Sequence, residues 1–335
     1  MTGSIRSSAM APTDDQARDL VRRFATLDMT GWDDPAFDRA AAHLGWRPKD
    51  AAEGRGSRSE DYDAGPGTSY GLFFRGGADH HETRVLVRVG EGDELFLRVR
   101  SALMDELGAP SIMRGPGPLL RWRGPVRLLE LERIGDGAFL TARPTEAVEN
   151  DEYRTAKWAE PEDGLGLLGH WQVVGRGPEL DGLFLPGGYW ADDWTEFEER
   201  LATTLHSVVR DFALMDGPGH FTVVVRTPED HYVQWTTHPD WTLEIHASLT
   251  GDRDSAWADT MTGLGWLLSD VTEDDFCVTR EFPALDDEDA KTAARMLVGA
   301  LRSHGVAFED LWHEVISPNV DLLGIGIPTR HGARF

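Results

Sequence analysis

The segment 193–247 constrains the fold of this chain more than any other, because it joins one long amphipathic helix to three strands through short turns. Asp193 followed by Glu196 has capping-box spacing, and apolar residues then recur at helical intervals up to Phe212. Alternation of apolar and polar residues predicts strands at 221–226, 232–237 and 242–247. Consecutive strands with short connections pair antiparallel, so this segment predicts an α+β architecture.

A similar order of elements is predicted in both halves of the chain. In the first half a helix precedes strands at 69–74, 83–89 and 94–100, a short helix at 101–107 ending in Leu-Gly, and strands at 119–123, 126–131 and 138–142. In the second half the three strands precede a helix at 255–264 ending in Leu-Gly, a strand at 276–282 and a helix from 286 to about 305. The fold class is therefore expected to be α+β, with two tandem domains, each an antiparallel sheet with helices packed on one face.

Composition places the expected domain boundaries. Residues 159–191 are rich in Gly and Pro and predict a connector that packs in places. The expected organisation is a disordered lead-in (1–13), an N-terminal α+β domain (14–158), this connector (159–191), a C-terminal α+β domain (192–316) and a tail (317–335).

The charge is distributed unevenly over these halves. The net charge is −25, and residues 1–158 carry about 26 acidic and 22 basic side chains, against about 32 and 11 in residues 159–335. A surface this acidic repels nucleic acid and anionic lipid and favours basic or neutral protein partners. No secretory signal or membrane span is evident, and a single cysteine suits a reducing compartment, so a cytoplasmic location is expected.

Arginines of the first half form the pattern closest to a chemical site. They occur in pairs separated by an even number of residues, four in the first pair and two in the others, which places each pair on one face of a predicted strand: Arg84 and Arg88, Arg98 and Arg100, Arg121 and Arg123. Guanidinium groups bind carboxylates through two hydrogen bonds, so one interpretation is a site for an acidic partner. The other is an ordinary solvated sheet face.

A peptide groove is the candidate site of the second half. Tyr232, Gln234 and Trp235 lie on one predicted strand, and Trp194 begins the long helix. Edge pairing and aromatic pockets are common means of holding an extended peptide. The alternative is that Trp235 belongs to the core and Tyr232 is a half-buried surface residue.

No cofactor, metal or catalytic residue is predicted. His80 and His81 point to opposite faces of a strand, and His231, His238 and His246 lack helical spacing and a cysteine companion. Cys277 is expected to be a buried small hydrophobic residue. Glycine-rich segments match no phosphate-binding fingerprint.

Several landmarks of the second half occur together in order: Trp194-x-x-Phe197-x-x-x-Leu201, Tyr232-Val-Gln-Trp, Leu243-Glu-Ile and Leu264-Gly-Trp. Over residues 192–316 this resembles the actinobacterial TY-Chap domains, which are related to the YbjN family and CesT-type secretion chaperones. The resemblance implies a helix–sheet fold that binds a peptide or unfolded segment, frequently as a dimer, without catalysis. The first half, with His43-Leu-Gly-Trp, Leu107-Gly-Ala-Pro and Leu120-Arg-Trp-Arg, is similar to an uncharacterised actinobacterial family suspected of immunity or accessory roles.

The function expected is a non-enzymatic peptide- or protein-binding factor that holds or delivers a partner segment. The partner is expected to be basic or to expose an apolar segment, and a homodimer remains open. Two alternatives stand beside this: an immunity protein that masks a toxin's basic active site, and an enzyme without a recognisable motif.

Overall fold

The computed structural model describes most of the chain. The described residues are 12–48, 59–65, 68, 70–76, 81–158, 169–174, 191–248, 256–267, 277–317, 320–322 and 324–328. They form two compact units, of which unit 1 comprises residues up to 113 and 117–154, and unit 2 comprises 114–116, 155–174 and the remainder from 184. Most of the expected lead-in, connector and tail lies outside the described residues.

Unit 1 contains four helices and most of one antiparallel sheet. The helices are α1 (Asp14–Ala25), α2 (Asp34–Leu44), α3 (Asp93–Leu107) and α4 (Thr145–Trp158). The strands are β1 (Arg47–Pro48), β2 (Ser59–Asp63), β3 (Tyr70–Phe74), β4 (Arg84–Glu91), β5 (Ile112–Gly115), β6 (Leu119–Arg123), β7 (Arg127–Ile134) and β8 (Gly137–Pro144). From β1 to β6 the neighbours run β1-β2-β3-β4-β8-β7-β6, all antiparallel.

The strand predicted at 94–100 is wrong, because these residues belong to α3. Leu95, Phe96, Val99 and Leu103 are buried with the spacing of one helical face. The alternation of apolar and polar residues that predicted a strand is only a short part of this buried helical face. Arg98 and Arg100 therefore lie on a helix and not on a sheet face.

The two faces of this sheet have different chemistry. Val85, Val87, Leu140 and Leu131 form part of an apolar core face and are fully buried. The opposite face carries charged residues and is contacted by α4, whose carboxylates bind arginines of β6. Helix α4 thus packs on the charged face of the sheet, opposite the apolar core face, whereas the sequence predicted helices on one face only.

Unit 2 contains the fold predicted from segment 193–247. Its helices are α5 (Trp194–Met215), α6 (Ala256–Gly263) and α7 (Asp287–Ser303). Its strands are β9 (Trp171–Val174), β10 (Phe221–Arg226), β11 (Tyr232–Thr237), β12 (Leu243–Ser248), β13 (Cys277–Phe282), β14 (Trp312–Ile316) and β15 (Val320–Leu322). The five strands in the order β13-β12-β11-β10-β14 form one antiparallel sheet, and β9 pairs with β15. The predicted α+β fold class with antiparallel sheets is confirmed.

The core of unit 2 lies between this sheet and the helices α5 and α7. Val223, Trp235 and Ile245 share one row across the sheet and are fully buried. The helix α7 supplies a small-residue face against the sheet, with Ala293 and Ala294 buried. None of the helices in the described residues is long and apolar enough to cross a bilayer.

Candidate functional site

The side of the five-stranded sheet that faces away from α7 is the candidate site, and we call it the outer face. Strand alternation and register assign its side chains. They are Trp312, Glu314 and Ile316 of β14; Thr222, Val224 and Arg226 of β10; Tyr232, Gln234 and Thr236 of β11; Glu244, His246 and Ser248 of β12; and Cys277, Thr279 and Glu281 of β13.

The structure separates the four residues predicted to form a peptide groove. Tyr232 and Gln234 lie on the outer face and are partly exposed. Trp235 points to the opposite side and has no exposed surface, so it is a core residue and cannot contact a partner in this arrangement. Trp194 packs edge-on against Phe308 at 5.4 Å between ring centroids.

Edge pairing at β11 is also excluded. This strand lies inside the sheet, with β10 on one side and β12 on the other, so its backbone groups already bond to neighbours. The two strands at the ends of this sheet are β13 and β14.

The two edge strands differ in what covers them. On β14 the His313 amide donates to the carbonyl oxygen of Pro328 at 2.8 Å, so a following segment of unit 2 occupies part of that edge. Beyond β12, the described residues provide no backbone partner for β13. β13 is therefore the more open edge.

One arginine organises the β14 end of the outer face. Arg226 forms ion pairs with Glu314 at 2.9 Å and Asp230 at 3.0 Å. Its guanidinium carbon lies 5.6 Å from the centre of the Tyr232 ring and 5.9 Å from that of Trp312. These contacts hold both aromatic rings in place, and the two carboxylates leave no surplus positive charge on this group.

A chain of titratable groups occupies the β12–β13 end. His238 Nε2 and Glu244 Oε2 are 3.0 Å apart, and the other oxygen of Glu244 lies 3.3 Å from His246 Nε2. On the opposite side of the His246 ring, Nδ1 is 3.7 Å from Cys277 Sγ. The prediction that Cys277 is a buried hydrophobic residue is wrong, since it lies on the outer face with partial exposure.

Burial and charge shift the pKa of two of these groups. Desolvation lowers the pKa of His246, although Glu244 acts in the other direction. Desolvation raises the pKa of Tyr232, and the nearby Cys277 adds to the increase. His246 is therefore neutral around pH 7.

The six arginines singled out in the sequence do not form one block. Arg84 and Arg88 share a face of β4, where Arg84 lies over Phe74 at 5.3 Å and Arg88 pairs with Glu91 at 2.7 Å. Arg98 on α3 pairs with acidic residues of α1 and its own helix. Arg100 also lies on α3, half-buried.

Arg121 and Arg123 have acidic partners inside unit 1. Arg121 is 2% exposed and bonds to Glu130 of β7 at 2.7 Å and to both oxygens of Glu152 of α4 at 2.8 and 3.0 Å. Arg123 bonds to Glu149 of α4 at 3.0 Å. Both guanidinium groups therefore already bind carboxylates of their own unit, and a site for an acidic partner at these arginines stays a prediction.

Other sites are not apparent in the described part of the chain. No group of three His, Cys, Asp or Glu side chains there converges to hold a metal ion. Of the histidines considered as metal ligands, His80 lies outside the described residues. The best-defined clefts are open and shallow: one of about 320 Å³ borders Tyr153 and Arg154, and one of about 300 Å³ borders Arg98.

Comparison with known families agrees with the predicted resemblance of the second half. Residues 187–320 match the family model TY-Chap3, described as T3SS (YopN, CesT) and YbjN peptide-binding chaperone 3. No curated protein matches the chain. Neither does any solved structure. The similarity of the first half to an uncharacterised actinobacterial family stays a prediction.

Proposed function

We propose that unit 2 binds an extended segment of a partner protein in a chaperone-like role, and that the segment pairs with the edge of β13 that faces away from β12. The match of residues 187–320 to a peptide-binding chaperone family carries this proposal. The structure contributes a sheet whose β13 edge is open within the described residues. Edge strands are the natural template for strand addition, in which backbone hydrogen bonds supply affinity.

Side chains of the added strand would alternate between the two sides of the sheet. Those on the outer side would lie next to Thr279 and Glu281, which are exposed, whereas Tyr232 and Gln234 of β11 are three strands, or about 14 Å, from the added strand. These two predicted partner-binding residues would therefore contact only a partner that extends across the outer face beyond the added strand. Trp235, on the core side of β11, packs in the interior of unit 2.

The charge of this surface selects the class of segment. Glu244, Glu281 and Glu314 lie on the outer face, whereas its one arginine, Arg226, is neutralised by two carboxylates. The surrounding half of the chain has about 32 acidic and 11 basic side chains. The expected partner is a segment in which basic and apolar residues alternate, with the basic ones over the outer face.

Fluorescence anisotropy with labelled synthetic peptides tests this proposal. One ten-residue peptide alternates Lys with Val, a second alternates Glu with Val, and a third is the Lys peptide with N-methyl groups along one edge. The Lys peptide is expected to bind best. Methylation should weaken its binding by more than about tenfold, because it removes the donors needed for pairing.

A matched pair of charge reversals locates the binding edge. Glu281→Lys changes an exposed residue of β13, and Glu229→Lys changes an exposed residue of the β10–β11 turn, so the net charge changes equally. Glu281→Lys is expected to weaken the Lys peptide by about fivefold relative to Glu229→Lys, as a local charge contact of about 1 kcal/mol predicts. Equal affinities of the methylated and unmethylated peptides, or equal effects of the two reversals, would overturn strand addition at β13.

A further inference from the structure

A thiol, an imidazole and a carboxylate lie next to one another in a row on the outer face. In the register of β12 and β13, Cys277 is opposite Ser248 and Thr279 is opposite His246, so Cys277 and His246 are diagonal neighbours on the same side. Sγ is 3.7 Å from Nδ1 of His246, and Nε2 of that ring is 3.3 Å from Glu244. Adjacent strands bring together residues that are 31 positions apart in the sequence.

The carboxylate decides which nitrogen of His246 carries the proton. Glu244 Oε1 lies 3.3 Å from Nε2, and a proton that the carboxylate attracts to Nε2 leaves the lone pair of Nδ1 directed at the thiol. The ring is neutral near pH 7 because desolvation lowers its pKa. A neutral imidazole with a free nitrogen beside a thiol is the arrangement in which it acts as a base.

The remaining neighbours keep this arrangement in place. His238 bonds to the second oxygen of Glu244 at 3.0 Å and so fixes the carboxylate. Tyr232 stands beside Cys277, and Arg226 covers the far side of the Tyr232 ring. Cys277 itself is partly exposed on the outer face.

We propose that Cys277 is a nucleophilic thiol, with His246 as its base and Glu244 as a positioning residue, and that it forms a mixed disulfide with low-molecular-mass disulfides. The thiol proton passes to Nδ1 of His246. The thiolate sulfur then attacks one sulfur of the reagent R–S–S–R, a new Cys277–S–S–R bond forms, and the old S–S bond breaks. The leaving R–S⁻ takes a proton to give R–SH, so one disulfide is consumed and one is formed.

This inference does not depend on peptide binding, but it has a consequence for it. Cys277 is the first residue of β13, the edge proposed to receive a partner strand. A bulky group on its sulfur would stand over the outer face next to Tyr232. If the proposed function holds, modification of Cys277 would therefore reduce the affinity for the peptide. If it does not hold, the reaction of the thiol can still be measured.

Reaction with 4,4′-dithiodipyridine tests the proposal on the full chain. The reagent is neutral, which avoids repulsion by the acidic surface, and the sequence contains one cysteine, so the released thiopyridone reports on Cys277 alone. An ordinary cysteine is only about a few per cent thiolate at pH 7. We expect the folded protein to react at least about fivefold faster at pH 7 than the protein in concentrated urea, and its rate to level off at a lower pH.

Three variants separate the roles of the residues. His246→Gln should reduce the rate in the folded state to that of the unfolded chain or below, and Glu244→Gln should reduce it partly. Thr279→Ala, an exposed neighbour on the same strand, is the control and should change the rate by less than about twofold. Circular dichroism checks that each variant is folded.

Three results would overturn the proposal, of which two concern the rate and one concerns the adduct. One is a folded wild-type protein that reacts no faster than the unfolded chain, which needs no variant. The other is an unchanged rate and pH profile in folded His246→Gln. Mass spectrometry after incubation with oxidised glutathione identifies the adduct. If no adduct forms although dithiodipyridine reacts faster with the folded protein than in urea, disulfides of the size of glutathione do not reach Cys277, contrary to the proposal.

Discussion

Replacing Arg121 with methionine should destabilise unit 1 strongly and in a pH-dependent way. Arg121 is 2% exposed and Glu130 is 3% exposed, so the substitution leaves a buried carboxylate without its principal partner. Arg143 remains 3.3 Å from Glu130 and compensates in part. Removing one member of a buried ion pair costs about 3–5 kcal/mol, and we expect a loss in this range at pH 7.5.

The pH dependence follows from the pKa of Glu130. Burial opposes its ionisation, but Arg121 and Arg143 outweigh burial and lower the pKa below the ordinary value. In the wild type this contribution is present above about pH 4.5 and is lost as the pH falls through the folded-state pKa. In Arg121→Met the folded-state pKa of Glu130 should instead exceed the unfolded value. Protonation of Glu130 as the pH falls then removes part of the variant's loss of stability. The difference between the two proteins should therefore be smaller at pH 5 than at pH 7.5.

Because the chain has two units, a single unfolding transition is not a safe measure. Hydrogen exchange of peptides from β6, β7 and β8 across a urea series reports on the relevant strands. The double variant Arg121→Met/Glu130→Leu is the control and should be more stable than Arg121→Met, because the more deeply buried of the two carboxylates that Arg121 binds is then also removed. A loss below about 1 kcal/mol, or a difference that does not change between pH 5 and 7.5, would refute the reasoning.

Two further predictions concern unit 2. His313 is 1% exposed, and burial lowers its pKa to about 4, so relative to His313→Gln the wild type should lose stability as the pH falls below about 6.5, by about 1.4 kcal/mol per unit down to about pH 4. A parallel pH dependence of the two proteins in hydrogen exchange of β14 peptides across a urea series would contradict this. Ser207→Ala should cost about 1–3 kcal/mol, because the buried Trp171 Nε1–H loses its acceptor at 2.8 Å, whereas Thr203→Ala on the exposed side of α5 should cost less than about 0.5 kcal/mol. Hydrogen exchange of α5 peptides that does not distinguish the two alanine variants would count against a structural role for the Trp171–Ser207 bond.

The helices and strands of unit 2 could be predicted because each carries a strong local signal. The long helix α5 begins at Asp193, whose side chain accepts hydrogen bonds from the amides of Thr195 and Glu196, as its capping spacing indicated. The strands β10 to β12 show period-two alternation because one face is buried under helices. The first half of α3 was mistaken for a strand, whereas its second half was predicted as a helix, because alternation over a few residues does not distinguish the two periods.

Sites that depend on pairing between strands could not be predicted in this way. Whether Tyr232 belongs to an edge or a central strand depends on strand order, which the residues do not encode locally. The contact between His246 and Cys277 depends on the register of β12 and β13, and the partners of Arg121 depend on α4, whose sparse apolar residues gave no helical signal. The available clue for the contact between Arg121 and Glu130 was that charged residues of opposite sign stand at alternate positions of two successive predicted strands.

The charged cluster on the sheet of unit 1 also selects the alignment of its strands. On the core face, Leu120 lies opposite Leu131 and Trp122 opposite Leu129, and a shift of two residues between β6 and β7 would place Leu120 opposite Arg133 or Trp122 opposite Arg127. On the charged face, only the native alignment places Arg121 opposite Glu130 while α4 reaches both arginines of β6. The apolar core and the buried ions therefore favour the same register of β6 and β7.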